Sequence, residues 1–197
     1  MARKLDENLQ AERRRQVLDA AMECFRRSGF RGASVSEICH EAGMSPGHLY
    51  HYFENKEAIV EAICRRDLER VLTRVTAVRD ADEFTAALVE IGVDEVTQGL
   101  GRHAAFFHDI LAEASRNPRV AAVLARFDEM VEAQLGEKLR AAQMGGQLGT
   151  KLDLAGAVVE MRIIAHGFLA RAAASPGFDN PVNRALLRRM LTRALTG

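Results

Sequence analysis

Apolar residues recur every three to four positions along almost the whole chain. That is the period of an amphipathic helix, and no alternation of apolar and polar residues runs long enough to nominate a strand. Val17, Leu18, Ala21, Cys24 and Phe25 mark the core face of a first helix. Gly29 follows, where glycine readily supplies a left-handed cap. Longer amphipathic helices are predicted from about Lys56 to Val78, Glu83 to Leu100, His103 to Ser115, Arg119 to Ala142 and Leu154 to Ala173, with a last one ending near Leu195. Pro46, Pro118, Pro176 and Pro181 each stand where a helix can begin or end. The pattern predicts an all-α protein, with short helices in residues 1–56 and a bundle of long helices in residues 57–197.

The stretch from Ser34 to Lys56 carries the densest local chemistry. Ser34 caps a helix, and Glu37 three residues later completes a capping box. Gly43 stops that helix after two turns. Cys39 and Ala42 are small enough to let another helix cross closely. Ser45 caps a second short helix with Pro46 in its first turn, where a missing N–H costs nothing. Asn55 caps the helix that begins at Lys56. Two short helices joined by a Gly-Met-Ser turn make a helix-turn-helix, whose second helix fits a DNA major groove. Ile38, Leu49 and Phe53 are spaced to bury against the first helix, which leaves Pro46, Gly47, His48, Tyr50, His51 and Tyr52 outward or at the edge.

That outward set has the chemistry of a DNA-reading surface. Pro46 and Gly47 let the backbone come close to the bases, and His48 can donate to or accept from a base edge. Tyr50 and Tyr52 carry hydroxyls that reach phosphates, and rings that pack on sugars or a thymine methyl. Lys56, at a helix N-terminus, can meet a phosphate beside free backbone N–H groups.

Residues 13 to 60 resemble the DNA-binding domain of the tetracycline-repressor (TetR) family. The resemblance rests on Phe25, Gly29-Phe30, Ser34, Ile38-Cys39, Ala42-Gly43, the run Met44-Ser45-Pro46-Gly47-His48-Leu49-Tyr50-His51-Tyr52-Phe53, and Asn55-Lys56-Glu57. Cys39 stands where the family usually has Ala, and Met44 where it usually has Val. The resemblance implies that Ser34, Ser45, Tyr50, Tyr52 and Lys56 bind mainly backbone, with Pro46, Gly47 and His48 nearest the bases. It also implies a bundle of long helices whose last two pair with a second subunit. The run from His166 to Ala173 resembles the choline-sensing type of regulator.

The balance of 27 basic against 27 acidic residues argues against nonspecific polyanion binding by global charge. Up to Lys56 there are nine basic and eight acidic residues. Arg13, Arg14, Arg15 and Arg31 either form a local positive rim or simply solvate the first helix. Three cysteines without Cys-x-x-Cys spacing fit reduced thiols in a cytoplasm. The first fifteen residues hold no apolar stretch of the kind a signal peptide needs. Leu154 to Leu169, interrupted by Glu160, Arg162 and His166, is a buried helix rather than a membrane span.

Within the long-helix region, the helix from Leu154 to Ala173 is apolar nearly all round, and such a helix must be covered on all sides. A partner subunit is therefore expected there, together with an apolar stripe through Leu187 and Leu191. Phe84, Phe106, Phe107, Phe127, Met130, Met161 and Phe168 are candidates to line an effector pocket, with His103, His108, Glu113, Arg162 and His166 as polar anchors. The same residues also fit an ordinary core. No cofactor or metal is expected: His48 and His51 lie on the DNA face, and nothing nominates a catalytic triad or a phosphate loop. The expected protein is a homodimeric repressor released from a palindromic double-stranded operator by an unidentified small-molecule effector. The alternative is a helix-turn-helix regulator without an effector, controlled by a protein partner or by abundance. An enzyme stands third.

Overall fold

A computed structural model describes residues 2–78, 83–102, 104–175 and 177–196. Among them every regular element is a helix: α1 (Ala2–Gly32), α2 (Val35–Glu41), α3 (Pro46–Tyr52), α4 (Lys56–Ala77), α5 (Phe84–Arg102), α6 (Ala104–Ala114), α7 (Pro118–Met144), α8 (Leu154–Ala174) and α9 (Pro181–Thr196). The all-α expectation holds, and the predicted helices appear with their ends moved by one or two residues.

The chain divides into two compact units. The first comprises Met1–Arg65 and Ala105–Ala125, and the second Arg66–Ala104 and Arg126–Gly197. In sequence, α4 and α7 each begin in the first unit and end in the second.

The first unit buries the periodic face of α1 through Val17, Ala21, Cys24 and Phe25. Ile38, Leu49 and Phe53 are buried as their spacing predicts, with Ile59 and Ile63 from α4 and Ile110 from α6. Phe106 of α6 stacks on Phe25 with ring centroids 5.2 Å apart. Gly29 breaks α1 at φ 69°, ψ 172°, so the last residues to Gly32 form a separate turn. Asp109 accepts the Phe30 N–H at that break. Arg31 lies 3.4 Å from Glu113. One face of α6 thus supplies Phe106, Asp109 and Glu113 to the corner after α1.

In the second unit α5 packs on α8 and α9, and α8 packs on α9. Its core gathers Leu68 and Val75 of α4, Leu88, Ile91 and Val96 of α5, Leu135 and Leu139 of α7, Val158 and Phe168 of α8, and Leu187, Leu191 and Leu195 of α9. Ion pairs border it: Arg74 of α4 reaches Asp94 at 2.6 Å and Glu95 at 3.1 Å, and Arg188 of α9 grips Glu90 of α5 through both nitrogens.

The apolar stripe of α9 departs from expectation. Leu187 and Leu191, expected to face a partner subunit, point into their own protomer, and Leu187 is only 1% exposed. The exposed apolar residues are their neighbours Val182, Leu186 and Met190, one turn apart on the other side of the helix. On α8, Val158 and Phe168 are buried while Val159 and Ile163 are exposed, Ile163 to 65%. The all-round apolar character of α8 therefore divides between an inward face and an outward one.

Candidate nucleic-acid interface

The interface is assembled by local hydrogen bonds. Ser34 Oγ accepts the Glu37 N–H at 3.1 Å, and the Glu37 carboxylate accepts the Ser34 N–H at 2.7 Å. Hydrogen bonds to the carboxylate from the Ser34 N–H, foremost, and from the Ser34 side chain hold the Glu37 carboxyl below its usual range. At the other end of α2, Met44 N donates to Cys39 O and Gly43 N to His40 O, with Gly43 at φ 60°. This paired closure needs a left-handed residue, which explains the glycine. Ser45 Oγ then accepts the His48 N–H at 3.3 Å, and Pro46 opens α3. Asn55 Oδ1 accepts the Ala58 N–H at 2.8 Å to start α4.

α3 buries Leu49 and leaves Pro46, Gly47, His48, Tyr50 and His51 exposed, with Tyr52 half-buried. Tyr50 is 52% exposed. Tyr52 Oη lies 3.3 Å from His48 Nε2, and the Tyr52 ring meets His51 edge-on at 5.3 Å. His48, His51 and Tyr52 thus form one aromatic cluster on the outer side of α3. In the second cap the Ser45 oxygen accepts, which leaves its O–H able to donate.

Lys56 has partners within the first unit that the sequence did not show. Its ammonium donates to Phe30 O and to Ala33 O, the latter at 2.8 Å, and sits 4.2 Å from the Phe30 ring centroid. Burial pulls its pKa below the lysine range, against the opposing pull of Glu57, Glu113 and Asp109. Two of its three N–H groups close the corner after α1, leaving one for a phosphate. The arginine rim is engaged as well. Arg13 donates to Gln16 at 2.9 Å, Arg14 to Tyr52 O at 3.0 Å, and Arg15 pairs with Glu12. The tertiary partners of Lys56 and Arg14 were not visible in the periodicity, whereas the Arg13 and Arg15 pairs have ordinary intrahelical spacing.

The comparisons fit this arrangement. Residues 17–63 match the bacterial regulatory proteins of the tetR family, and residues 93–196 match the C-terminal domain of BetI-type transcriptional repressors. The HTH-type transcriptional regulator UidR of Escherichia coli K12 is 35% identical over 152 residues, covering 76% of this chain and 77% of that one. The chain belongs to the TetR family. The solved structure of Salmonella enterica GusR superposes with a TM-score of 0.75 at 32% identity, over 93% of this chain and 95% of that one. A putative TetR-family regulator from Rhodococcus sp. superposes at 0.77 with 19% identity, over 94% of this chain and 100% of that one, which bears on the fold alone. The protein is a DNA-binding transcriptional regulator and not an enzyme.

In this TetR-family chain the candidate effector residues fall into both units. Phe106, Phe107, His108 and Glu113 belong to the first; Phe84, Phe127, Met130, Met161, Arg162, His166 and Phe168 belong to the second. His103 lies outside the described residues. Glu113 is 3% exposed and already occupied: it accepts from Arg116 Nε at 2.8 Å and Asn117 Nδ2 at 3.4 Å, besides the ion pair with Arg31. Burial pushes its carboxyl up, but these partners together hold it below the usual range. Arg162 pairs with Asp128. Phe84 and Phe168 are in the core of the second unit, with Phe127, Met130 and Met161 packed against it. Phe168 also meets Phe178 edge-on at 5.2 Å. His108 Nε2 is buried with no hydrogen-bond partner among the described residues. An open groove of about 870 Å³ lies between Leu72, Thr73 and Thr76 of α4 and Gln134, Glu137 and Lys138 of α7, which were not among the candidates.

Proposed function

We propose that this regulator is a homodimeric repressor that reads an inverted-repeat operator through α3 and is released by a small molecule. The observation that carries the reading is the solvent face of α3. The caps leave Pro46, Gly47, His48, Tyr50 and His51 outward on a helix of seven residues, short enough to enter a major groove. In this reading Ser34, Ser45, Tyr50, Tyr52 and the remaining N–H of Lys56 contact the backbone. Pro46, Gly47 and His48 approach the bases, with His51 beside them.

Pairing is assigned to the outward apolar faces of α8 and α9. Val159, Ile163, Val182, Leu186 and Met190 are too many large apolar groups to leave wet on neighbouring elements. Twofold symmetry of the protein is then mirrored in the DNA. Selection from random duplex DNA tests this. The expected product is an inverted repeat, and His48→Ala should change the base preferred at one position of each half-site, with discrimination falling by about 1–3 kcal/mol. A selection without an inverted repeat, or a His48→Ala protein that selects the same sequence, contradicts the assignment.

For release, the supporting observation is His108, whose buried ring nitrogen lacks a partner among the described residues. Buried polar groups are rarely left so, and a polar guest would satisfy it. A compound library screened by thermal stabilisation should yield binders that weaken the selected duplex about a hundredfold, which requires roughly 2.8 kcal/mol of coupling. If every stabilising compound leaves DNA affinity unchanged, the regulator works without an effector of this kind.

A further inference from the structure

Two polar side chains from one turn of α1, Arg14 and Gln16, engage the helix-turn-helix, and a third, Arg13, braces Gln16. Arg14 Nη1 donates to Tyr52 O, the last residue of α3, at 3.0 Å. Its guanidinium also lies 4.6 Å from the ring centroid of Phe53, the C-cap of α3. Two residues on, Gln16 Nε2 donates to Ala42 O, the C-cap of α2, at 2.7 Å. Arg13 holds Gln16 by donating to its Oε1 at 2.9 Å. The terminal carbonyls of both helices are thus met by side chains of α1. Such carbonyls have no partner within their own helix, and a cation beside them is favoured by the helix dipole.

The consequence is larger for α3 than it would be for a long helix. α3 has seven residues and buries only Leu49 along its length. One buried side chain fixes the depth of a two-turn helix but leaves it free to rotate and tilt about that point. Ser45 pins the N-terminal end through its cap. Arg14 pins the other end, at the backbone of Tyr52, whose hydroxyl is 3.3 Å from His48 Nε2. The contacts from Arg14 therefore converge on the residue that orients His48.

We propose that Arg14 is a positioning residue for operator recognition, which clamps the C-terminal end of α3 instead of neutralising a phosphate. The proposal rests on the reading of α3 as the DNA-contacting helix. It makes operator selectivity, not general DNA affinity, the property that depends on Arg14.

The experiment compares wild type with R14M and R14K on two duplexes: the one that wild type selects from random DNA, and a scrambled duplex of the same length. Affinity is measured over a series of salt concentrations well below the melting temperature. For R14M the ratio of selected to scrambled affinity should fall about tenfold, the scale of one charge-assisted hydrogen bond. Affinity for the scrambled duplex and the salt slope should stay as in wild type, and R14K should recover part of the ratio. Parallel loss on both duplexes, with the salt slope reduced by about one, would make Arg14 a phosphate ligand and overturn the proposal. A lower melting temperature with the ratio intact would make it merely structural, and also overturns it. If R14M does not fold, R14K decides: a reduced ratio at unchanged slope supports positioning, and an unchanged ratio refutes it. A wild-type protein that selects no duplex removes the functional reading and this inference together, whereas selection by wild type with an intact ratio in the variants removes this inference alone.

Discussion

Placing carboxylates at both Ile163 and Leu186 is expected to give a folded monomer that no longer holds its operator. Both side chains are outward, Ile163 at 65% and Leu186 at 39% exposure, so a glutamate at either can keep its carboxylate in water within a single protomer. In a dimer built on these faces each carboxylate would be buried without a counter-charge, at an effective cost of several kcal/mol per ion. A monomer engages one half-site where a dimer engages two, so operator affinity should drop by roughly 10²- to 10⁴-fold. Light scattering reads the mass, circular dichroism the fold, and titration of the selected duplex the affinity. Leu187→Glu is the contrasting control. With its side chain in the second unit's own core, it should unfold the protomer rather than divide a dimer. A double variant that remains dimeric, or a wild type that is monomeric at micromolar concentration, would show that these faces meet something other than a second copy.

The contrast between Leu186 and Leu187 also shows where sequence reading stops. Residues 186–187 and 190–191 are two adjacent apolar pairs, and each member starts its own stripe at a spacing of four. Periodicity reveals both stripes without ranking them. The packing of α9 on α5 and α8 decides that Leu187 and Leu191 turn inward. The helix-turn-helix was legible because its determinants are local: Ser34 and Glu37, Gly43, Ser45 with Pro46, and Asn55 each act within five residues. The bonds that lock those helices together are not local. Arg14 finds Tyr52 across 38 residues, Lys56 finds Phe30 across 26, and Asp109 finds Phe30 across 79. No spacing rule predicts such partners, and the sequence therefore showed neither the carbonyls that Lys56 meets nor the ion pair between Arg31 and Glu113. Glu113 did carry one legible signal: Arg116 stands three residues on, the spacing of an intrahelical pair.

Gly29→Ala is expected to be among the most damaging small substitutions in the first unit. At φ 69°, ψ 172° the backbone of Gly29 occupies a region essentially reserved for glycine. Holding an alanine there costs on the order of 1–3 kcal/mol in backbone strain. The added Cβ would also stand 3.1 Å from Asp109 Oδ2, tighter than ordinary contact. That oxygen accepts the Phe30 N–H, so relieving the contact by moving Asp109 leaves a backbone donor unpaired. An unsatisfied buried donor costs about 1–3 kcal/mol more. For a chain of this size each kcal/mol lowers the melting temperature by roughly 2–4 °C, so a drop of about 4–24 °C is expected for the two costs together. The damage should reach DNA binding, because Phe30 also carries the Lys56 contact and Ser34, the cap of α2, follows within four residues. A double variant, Gly29→Ala with Asp109→Ala, separates the two costs. It removes the close contact but keeps the backbone strain, and its loss should be smaller than the sum of the single losses, since both act on one hydrogen bond. Additive losses would mean that Asp109 and Gly29 act independently. A Gly29→Ala protein melting within 2 °C of wild type, less than the shift expected from about 1 kcal/mol, would mean that the chain turns this corner by another backbone path.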